Sequence, residues 1–199
     1  EMQRSLVGSE MCIRDRYLDA KVKRFVQKRL FSHIPKTKTI LGLAGTHPEK
    51  YMEVLPYHKQ VILVDFNPVN SSIRRNSLIG EFDLVTSQPA HHSPITFVDC
   101  DFCKSIVSCG DDLIYIYNKM KKSLVKNKYI AFTFSLRVVG FDATFDWLKA
   151  NFPELSVENR NINRYVPEMK RRQYIKELNP ALYIYRDSGD NMISGLIKL

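Results

Sequence analysis

Long apolar runs are missing from this sequence of 199 residues. No run approaches the roughly 18 residues that a membrane-spanning helix needs, which excludes an ordinary helical membrane protein. Cysteine is also scarce: apart from Cys12 the sequence has only Cys100, Cys103 and Cys109, an odd number of residues close together in the chain. Such a set is typical of reduced thiols and not of a disulfide framework. We therefore predict an intracellular protein located in the cytoplasm.

Acidic residues are in the minority. The chain carries 30 Lys and Arg against 21 Asp and Glu, which gives a formal net charge of +9 at pH 7. A positive surface attracts polyanions, because binding releases the counterions that phosphates hold. The charge favours a nucleic-acid partner first and an anionic membrane surface second. Because an apolar span is also missing, we predict a nucleic-acid partner and no membrane partner.

The N-terminal segment lacks any regular period. Residues 6–16, LVGSEMCIRDR, resemble the translation of a sequencing adapter followed by a transposase mosaic end. We therefore predict that residues 1–16 are a non-native, adapter-derived tail, with an ordinary mobile tail as the alternative. The remaining residues 17–199 have the length of one domain with a single core.

Residues 17–34 predict an amphipathic basic helix. Their apolar residues recur at helical spacing. Their cations, which we place largely on the opposite side, are Lys21, Lys23, Arg24, Lys28 and Arg29. The helix either covers the core with a solvated charged face or also touches nucleic acid.

Strand and helix patterns then alternate along the chain. Predicted strands are 38–45, 60–68, 93–102, 111–117 and 129–137, and predicted helices are 47–56, 69–80, 118–128, 141–153 and a short basic one at 167–178. Continuous apolar runs such as VILV and YIAFTF suit a parallel sheet that is covered on both faces. The sequence predicts an α/β, three-layer sandwich with a mostly parallel sheet and a C-terminal antiparallel hairpin.

Candidate ligand-binding residues lie at the ends of three predicted strands, at the sheet edge where open parallel sheets bind ligands. At the end of the first strand, small residues would let a ligand approach the backbone, unless they form a plain tight turn; they are Gly42, Ala44, Gly45 and Thr46. Asp65 ends the second strand at the spacing of an acid that binds ribose hydroxyls, with a helix N-cap as the alternative. Asp101 could accept a hydrogen bond from an adenine amino group, with Phe102 beside the ring, or could cap a short turn.

In the order of these motifs the chain resembles the class I S-adenosylmethionine-dependent methyltransferases, which have a Rossmann-like fold. ILGLAGT resembles their first motif, VILVDFNP their second strand with its ribose-binding acid, and FVDCDF their adenine-contacting motif, while 111–134 resembles their fourth strand, helix and fifth strand. The resemblance spans about residues 37–187. It implies S-adenosylmethionine bound over the first three strand ends and methyl transfer by direct displacement.

The chain departs from that family at two places. Gly42 replaces the usual acid of the first strand, and the prolines of the amino-methylating motif are absent after 111–117. Tyr117 or Asn118 would orient an acceptor there, or Lys119 would stabilise an alkoxide or reach a phosphate, unless the three form an ordinary turn. Base amino methylation is therefore disfavoured.

Three functions remain open. The first is an S-adenosylmethionine-dependent methyltransferase acting on a nucleic acid or another large anionic acceptor, held by the helix at 17–34 and by Lys170, Arg171 and Arg172. The second is a binding or structural protein that keeps the fold without catalysis. The third, a nicotinamide-dependent oxidoreductase, is weakest because GLAGTHP lacks the third glycine of the dinucleotide turn. Zinc held by the cysteines and by His91 and His92 is disfavoured, because buried cysteines are ordinary in a core.

Overall fold

The computed structural model describes residues 21–35, 37, 39–43, 51, 58–65, 72–88, 94–155, 174–187 and 189–199. Within them the helices are α1 (Lys21–Phe31), α2 (Leu78–Ser87), α3 (Ile106–Lys122) and α4 (Phe141–Asn151). The strands are β1 (Thr39–Leu43), β2 (Gln60–Asp65), β3 (Arg74–Arg75), β4 (Ile95–Lys104), β5 (Tyr129–Ser135), β6 (Tyr174–Asn179), β7 (Leu182–Asp187) and β8 (Asp190–Lys198).

The strands form one eight-stranded sheet in the order β3-β2-β1-β4-β5-β8-β7-β6. Strands β1 to β5 pair in parallel, and β8, β7 and β6 continue the sheet with antiparallel pairs. This confirms the predicted class, a mostly parallel sheet that ends in an antiparallel C-terminal hairpin. All seven residues of β5 are buried, as expected where helices cover both faces of a sheet.

Two apolar clusters cover the two faces of the sheet. One includes Phe82 of α2, Leu113 of α3 and Phe145 of α4 packed against the strands. The other joins the apolar side of α1, with Val26 and Leu30, to the opposite face of the sheet. Among the described residues, the layers are therefore α2 to α4, the sheet, and α1 together with Tyr51.

The start of α2 corrects a predicted helix at 69–80. Within that range the described residues contain the edge strand β3, and α2 begins only at Leu78. Ser77 caps the helix, because its hydroxyl accepts a hydrogen bond from the Gly80 amide at 2.9 Å. Arg74 of β3 forms an ion pair with the buried Glu81 and ties the edge strand to α2.

Helix α3 replaces the predicted fourth strand. The prediction that 111–117 form a strand is wrong, because these residues lie inside Ile106–Lys122. Cys109, Leu113, Ile116 and Met120 are buried at helical spacing. The Lys128 ammonium contacts the carbonyl oxygens of Met120 and Ser123 and so caps the carboxyl end of the helix.

Two predicted helices near the C-terminus have different outcomes. The prediction at 141–153 is confirmed by α4, which ends before Pro153. The prediction at 167–178 is wrong where it can be compared, because β6 occupies Tyr174–Asn179. Residues 167–173 lie outside the described residues, as do residues 1–20 and most of the predicted helix at 47–56.

Candidate functional site

The order of the strands marks one place for a ligand. From β1 the chain moves through β2 to β3 on one side, and β4 then pairs with β1 on the other side. In open α/β sheets, ligands bind outside the carboxyl ends of the strands where the direction of winding reverses. The candidate site therefore lies beyond the ends of β1, β2 and β4.

Asp65 stands at this edge. It is the last residue of β2 and is half-buried. The parallel register pairs Leu43 with Val64, so Asp65 extends one residue past the end of β1. A carboxylate in that place can accept hydrogen bonds from a ligand at the switch point. The neighbouring candidates Ala44, Gly45 and Thr46 lie outside the described residues.

Gly42 makes room for a tyrosine. A Cβ added at Gly42 would lie 2.2 Å from the Tyr51 hydroxyl oxygen, so a larger residue could not fit beside this ring. The prediction for Gly42 was close approach of a ligand to the backbone. On the side that a Cβ would occupy, the group that approaches the Gly42 backbone is the Tyr51 side chain.

Tyr51 joins β1 to β4. Its hydroxyl lies 2.7 Å from the Asp99 Oδ2 atom and 3.1 Å from the Leu43 carbonyl oxygen, and its single proton can be donated to either. Burial raises the pKa of Tyr51 well above its usual value, and the Asp99 carboxylate raises it further. Asp99 is 1% exposed. The contact fixes the carboxyl end of β1 against the middle of β4, beside the switch point.

Asp101 is held by helix α1. Its Oδ1 atom lies 2.7 Å from the Lys23 ammonium, and its Oδ2 atom accepts a hydrogen bond from Gln27 Nε2 at 3.0 Å. The Lys23 and Asp101 side chains are 8% and 6% exposed. We predicted that Lys23 lies on the solvated side of its helix; this is wrong, because its ammonium is buried against β4.

The backbone of β4 is irregular beside this pair. Its register with β5 shifts between Asp101 and Lys104, and Cys103 has a left-handed backbone with φ 51°. The Cys103 Sγ atom lies 3.2 Å from Asp101 Oδ1 and 2.9 Å from the Lys23 ammonium. The bulge thus turns a thiol toward the buried ion pair.

Phe102 lies on the other face of the sheet from Asp101. It packs against the cluster under α2, α3 and α4 and stacks on Phe134 with ring centroids 6.1 Å apart. Moreover, FVDCDF belongs to β4, which pairs with β1 on the side away from β2. FVDCDF is also the fourth strand along the chain and not the third, as predicted, because β3 precedes it. Asp101 and Phe102 do not line one pocket together.

Tyr117, Asn118 and Lys119 lie far from the strand ends. Helix α3 starts beyond the carboxyl end of β4 and runs back toward the amino end of β5. At 1.5 Å per residue, Tyr117 is about 17 Å along the helix from its start. The reason for predicting a catalytic role for these residues, a place directly after a strand, no longer applies.

Tyr117 instead joins α3 to the segment after α4. Its hydroxyl lies 2.8 and 2.9 Å from the two Glu154 carboxylate oxygens, and the Lys121 ammonium donates to the Tyr117 oxygen at 2.9 Å. Burial raises the pKa of Tyr117. This arrangement attaches α3 to the segment that follows α4, which is a structural role.

The described ranges contain neither a metal-binding cluster nor a membrane-spanning helix. No group of three or more His, Cys, Asp or Glu residues there could hold a metal ion. No helix among those ranges is both long and apolar enough to cross a bilayer. Lys170, Arg171, Arg172, His91 and His92 fall outside the described residues.

Comparison with known proteins supports a fold assignment. No protein-family model matches the sequence, and no curated protein matches it. Among solved structures, a Streptococcus mutans protein described as belonging to the SAM-dependent methyltransferases aligns with a TM-score of 0.51 and 10% identity over 92% of this chain. The chain has a methyltransferase-like fold. It spans 49% of the length of that protein.

Two further solved structures align less well. The N-methyltransferase NodS from Bradyrhizobium japonicum WM9 has a TM-score of 0.45 and 9% identity over 89% of this chain and 94% of its own. A dimethyladenosine transferase from Plasmodium falciparum has a TM-score of 0.40 and 12% identity over 88% of this chain and 61% of its own. The assignment of a methyltransferase-like fold rests on the Streptococcus mutans structure and on the strand order.

Proposed function

We propose that the protein is an S-adenosylmethionine-dependent methyltransferase whose cofactor binds beyond the carboxyl ends of β1 and β2. The observation that carries the proposal is Asp65, a half-buried acid at the end of β2 beside the switch point of a methyltransferase-like fold. An acid at the end of this strand suits the ribose hydroxyls of a nucleoside cofactor.

The chain's residues have two tasks in this proposal. When bound, S-adenosylmethionine would supply a methyl group to an acceptor nucleophile; the carbon–sulfur bond would break as the new bond forms, and S-adenosylhomocysteine would leave. Asp65 binds the ribose through its carboxylate, and the contacts of Tyr51 with Leu43 and Asp99 keep the end of β1 in place against β4. A rigid site favours the reaction because orientation is fixed before the acceptor arrives.

The acceptor we propose is a nucleic acid or another large anion. The support for it is the net charge of +9 and the exposed cations of α1. Positive surfaces concentrate anionic partners through long-range attraction.

Binding of S-adenosylhomocysteine tests the cofactor site. Isothermal titration should detect binding by the unaltered protein, and Asp65→Ala should weaken it by about 1.5 to 3 kcal/mol, the loss for hydrogen bonds to a charged group. Asp146→Ala, which removes an exposed acid of α4, serves as the matched control and should bind as the unaltered protein does. Absence of any binding would contradict the function, whereas unchanged binding by Asp65→Ala would contradict only the assignment of Asp65.

A second function is a protein that binds through the same fold without transferring methyl groups. The observation that favours it is that Asp101 forms an ion pair with Lys23 and a hydrogen bond with Gln27. This carboxylate near the end of a strand therefore stabilises the fold. The two functions differ in the titration, because a protein that has lost the cofactor site gives no binding signal with S-adenosylhomocysteine.

A further inference from the structure

Helix α1 presents a basic face to solvent. The exposed residues of this face, which we call the α1 basic face, are Lys21, Arg24, Phe25, Lys28 and Arg29. The helix contains no acidic residue. A polyanion that approaches this side therefore meets cations from the first turn of the helix to the last.

Helix stability explains part of this charge. Positive side chains are stabilising near the carboxyl end of a helix, where the macrodipole is negative. Lys28 and Arg29 lie in the last turn of α1 and fit that rule. The dipole does not account for Lys21 and Arg24, which lie outside the last turn.

The other side of α1 is fully used by the fold. Val22, Val26 and Leu30 are buried against the sheet, so the helix has no free apolar face with which to enter a membrane. The Lys23 amide donates to Asp187 Oδ2 at 3.0 Å, and the Lys23 ammonium pairs with Asp101. The α1 basic face is therefore rigidly oriented on the molecule.

An aromatic ring lies among these cations. Phe25 is 45% exposed, and the Arg29 guanidinium carbon is 5.3 Å from the centroid of its ring. Exposed aromatic rings beside cations suit single-stranded nucleic acid, because an unpaired base stacks on the ring while phosphates contact the charges.

The α1 basic face begins near the candidate site. Lys23, one turn or less from Lys21 and Arg24, reaches Asp101 close to the carboxyl end of β4. We propose that the α1 basic face binds the phosphate backbone of a single-stranded nucleic acid and leads it along the outer layer to the carboxyl edge of the sheet. That the bound strand is also the methyl acceptor rests on the proposed function, but the binding itself does not.

The salt dependence of binding tests this proposal. Fluorescence anisotropy with a labelled oligothymidine and a labelled RNA of mixed sequence gives the affinity at several salt concentrations. The variant Lys21→Gln/Lys28→Gln should lower the slope of log affinity against log salt by about 1.4, because each single-strand phosphate contact contributes about 0.7. Phe25→Ala should weaken binding by about fivefold to 150-fold, the range for one stacked base, and leave the slope unchanged.

A matched variant removes the same charge elsewhere. Lys122 and Lys149 are exposed and lie in the last turns of α3 and α4, on the opposite face of the sheet. Lys122→Gln/Lys149→Gln should leave the slope as it is. An equal fall in both double variants would show that net charge alone attracts the strand and would overturn the proposal.

Two other results would also overturn it. One is undetectable binding of both oligonucleotides at low salt. The other is that the protein binds vesicles of anionic lipid as tightly as it binds the oligonucleotides and that Phe25→Ala has no effect on binding. This result would assign the α1 basic face to a membrane surface. Titration of the unaltered protein with S-adenosylhomocysteine separates the two proposals. If the cofactor product does not bind, the proposed enzyme function is contradicted. If it binds but neither oligonucleotide does, only the proposed role of the α1 basic face is contradicted.

Discussion

Replacing Lys23 by Met tests what holds α1 on the sheet. The substitution keeps the apolar stem of the side chain, which packs along the helix, and removes the ammonium. The Asp101 carboxylate, 6% exposed, would then lose the cation that lies 2.7 Å away. It would keep the Gln27 amide at 3.0 Å and the Cys103 thiol at 3.2 Å.

Removal of one partner from a buried ion pair costs about 3 to 5 kcal/mol, because the remaining charge is left without compensation. Gln27 still donates to Asp101, so we expect Lys23→Met to reduce the free energy of unfolding by about 3 kcal/mol, the lower end of that range. Urea unfolding followed by far-UV circular dichroism measures this difference. Lys28→Met, at an exposed position of the same helix, should change stability by less than about 1 kcal/mol.

A double-mutant cycle isolates the pair itself. Asp101→Asn removes the charge of the partner and keeps the shape of the side chain, so Lys23→Met/Asp101→Asn should lose clearly less stability than the two single losses added together. Additive losses, or a loss below about 1 kcal/mol in Lys23→Met, would refute the description of this contact as a buried, coupled ion pair.

Three further predictions concern other parts of the fold. Gly42→Ala should destabilise the protein by about 1 to 3 kcal/mol through overpacking against the Tyr51 hydroxyl, and Gly42→Ala/Tyr51→Phe should recover part of the loss in urea unfolding. Lys128→Met should cost about 1.5 to 3 kcal/mol, because it removes charged hydrogen bonds from the carboxyl end of α3. Burial, reinforced by Glu177, raises the pKa of Tyr183 to about 12 from 10.0. The stability that Tyr183 contributes is therefore present below pH 10 and is lost as the pH rises toward 12; Tyr183→Phe should show a shallower decline over that interval in pH-dependent unfolding.

The sequence predicted elements best where the apolar pattern was long and uniform. Strand β5 is buried on both faces, so its continuous apolar run is a reliable signal. Residues 111–117 present a similar run, LIYIY, but belong to a helix. Four of its buried residues are four, three and four positions apart: Cys109, Leu113, Ile116 and Met120. A wider window that included the outer two would have shown the helical period.

Strand order could not be predicted because it depends on pairing between distant segments. The strand next to β2 at the edge of the sheet is β3, which is only two residues long. It lies in a stretch for which the sequence predicted a helix. FVDCDF is a strand as predicted, but its neighbours are β1 and β5. A local pattern specifies that a strand forms and leaves its partner open.

The residues that shape the site were missed for a different reason. Lys23 and Gln27 lie four positions apart on the flank of the apolar stripe of α1, a place where a cation is usually solvated. Their burial depends on Asp101, which lies on a distant strand and pairs with both side chains. Likewise, Tyr51 has a partner in Asp99 that is 48 positions away, and no local signal links the two.

Strand β8 has a consequence for how the chain is made. It follows all the other described strands in the sequence, yet it pairs with β5 on one side and β7 on the other. During synthesis, strands β1 to β5 and the β6–β7 pair therefore leave the ribosome before β8, the strand that lies between β5 and β7 in the sheet. Until β8 emerges, β5 and β7 both carry unpaired backbone edges that can pair with other chains. Aggregation during synthesis should thus depend on how quickly the last strand of this sheet becomes available.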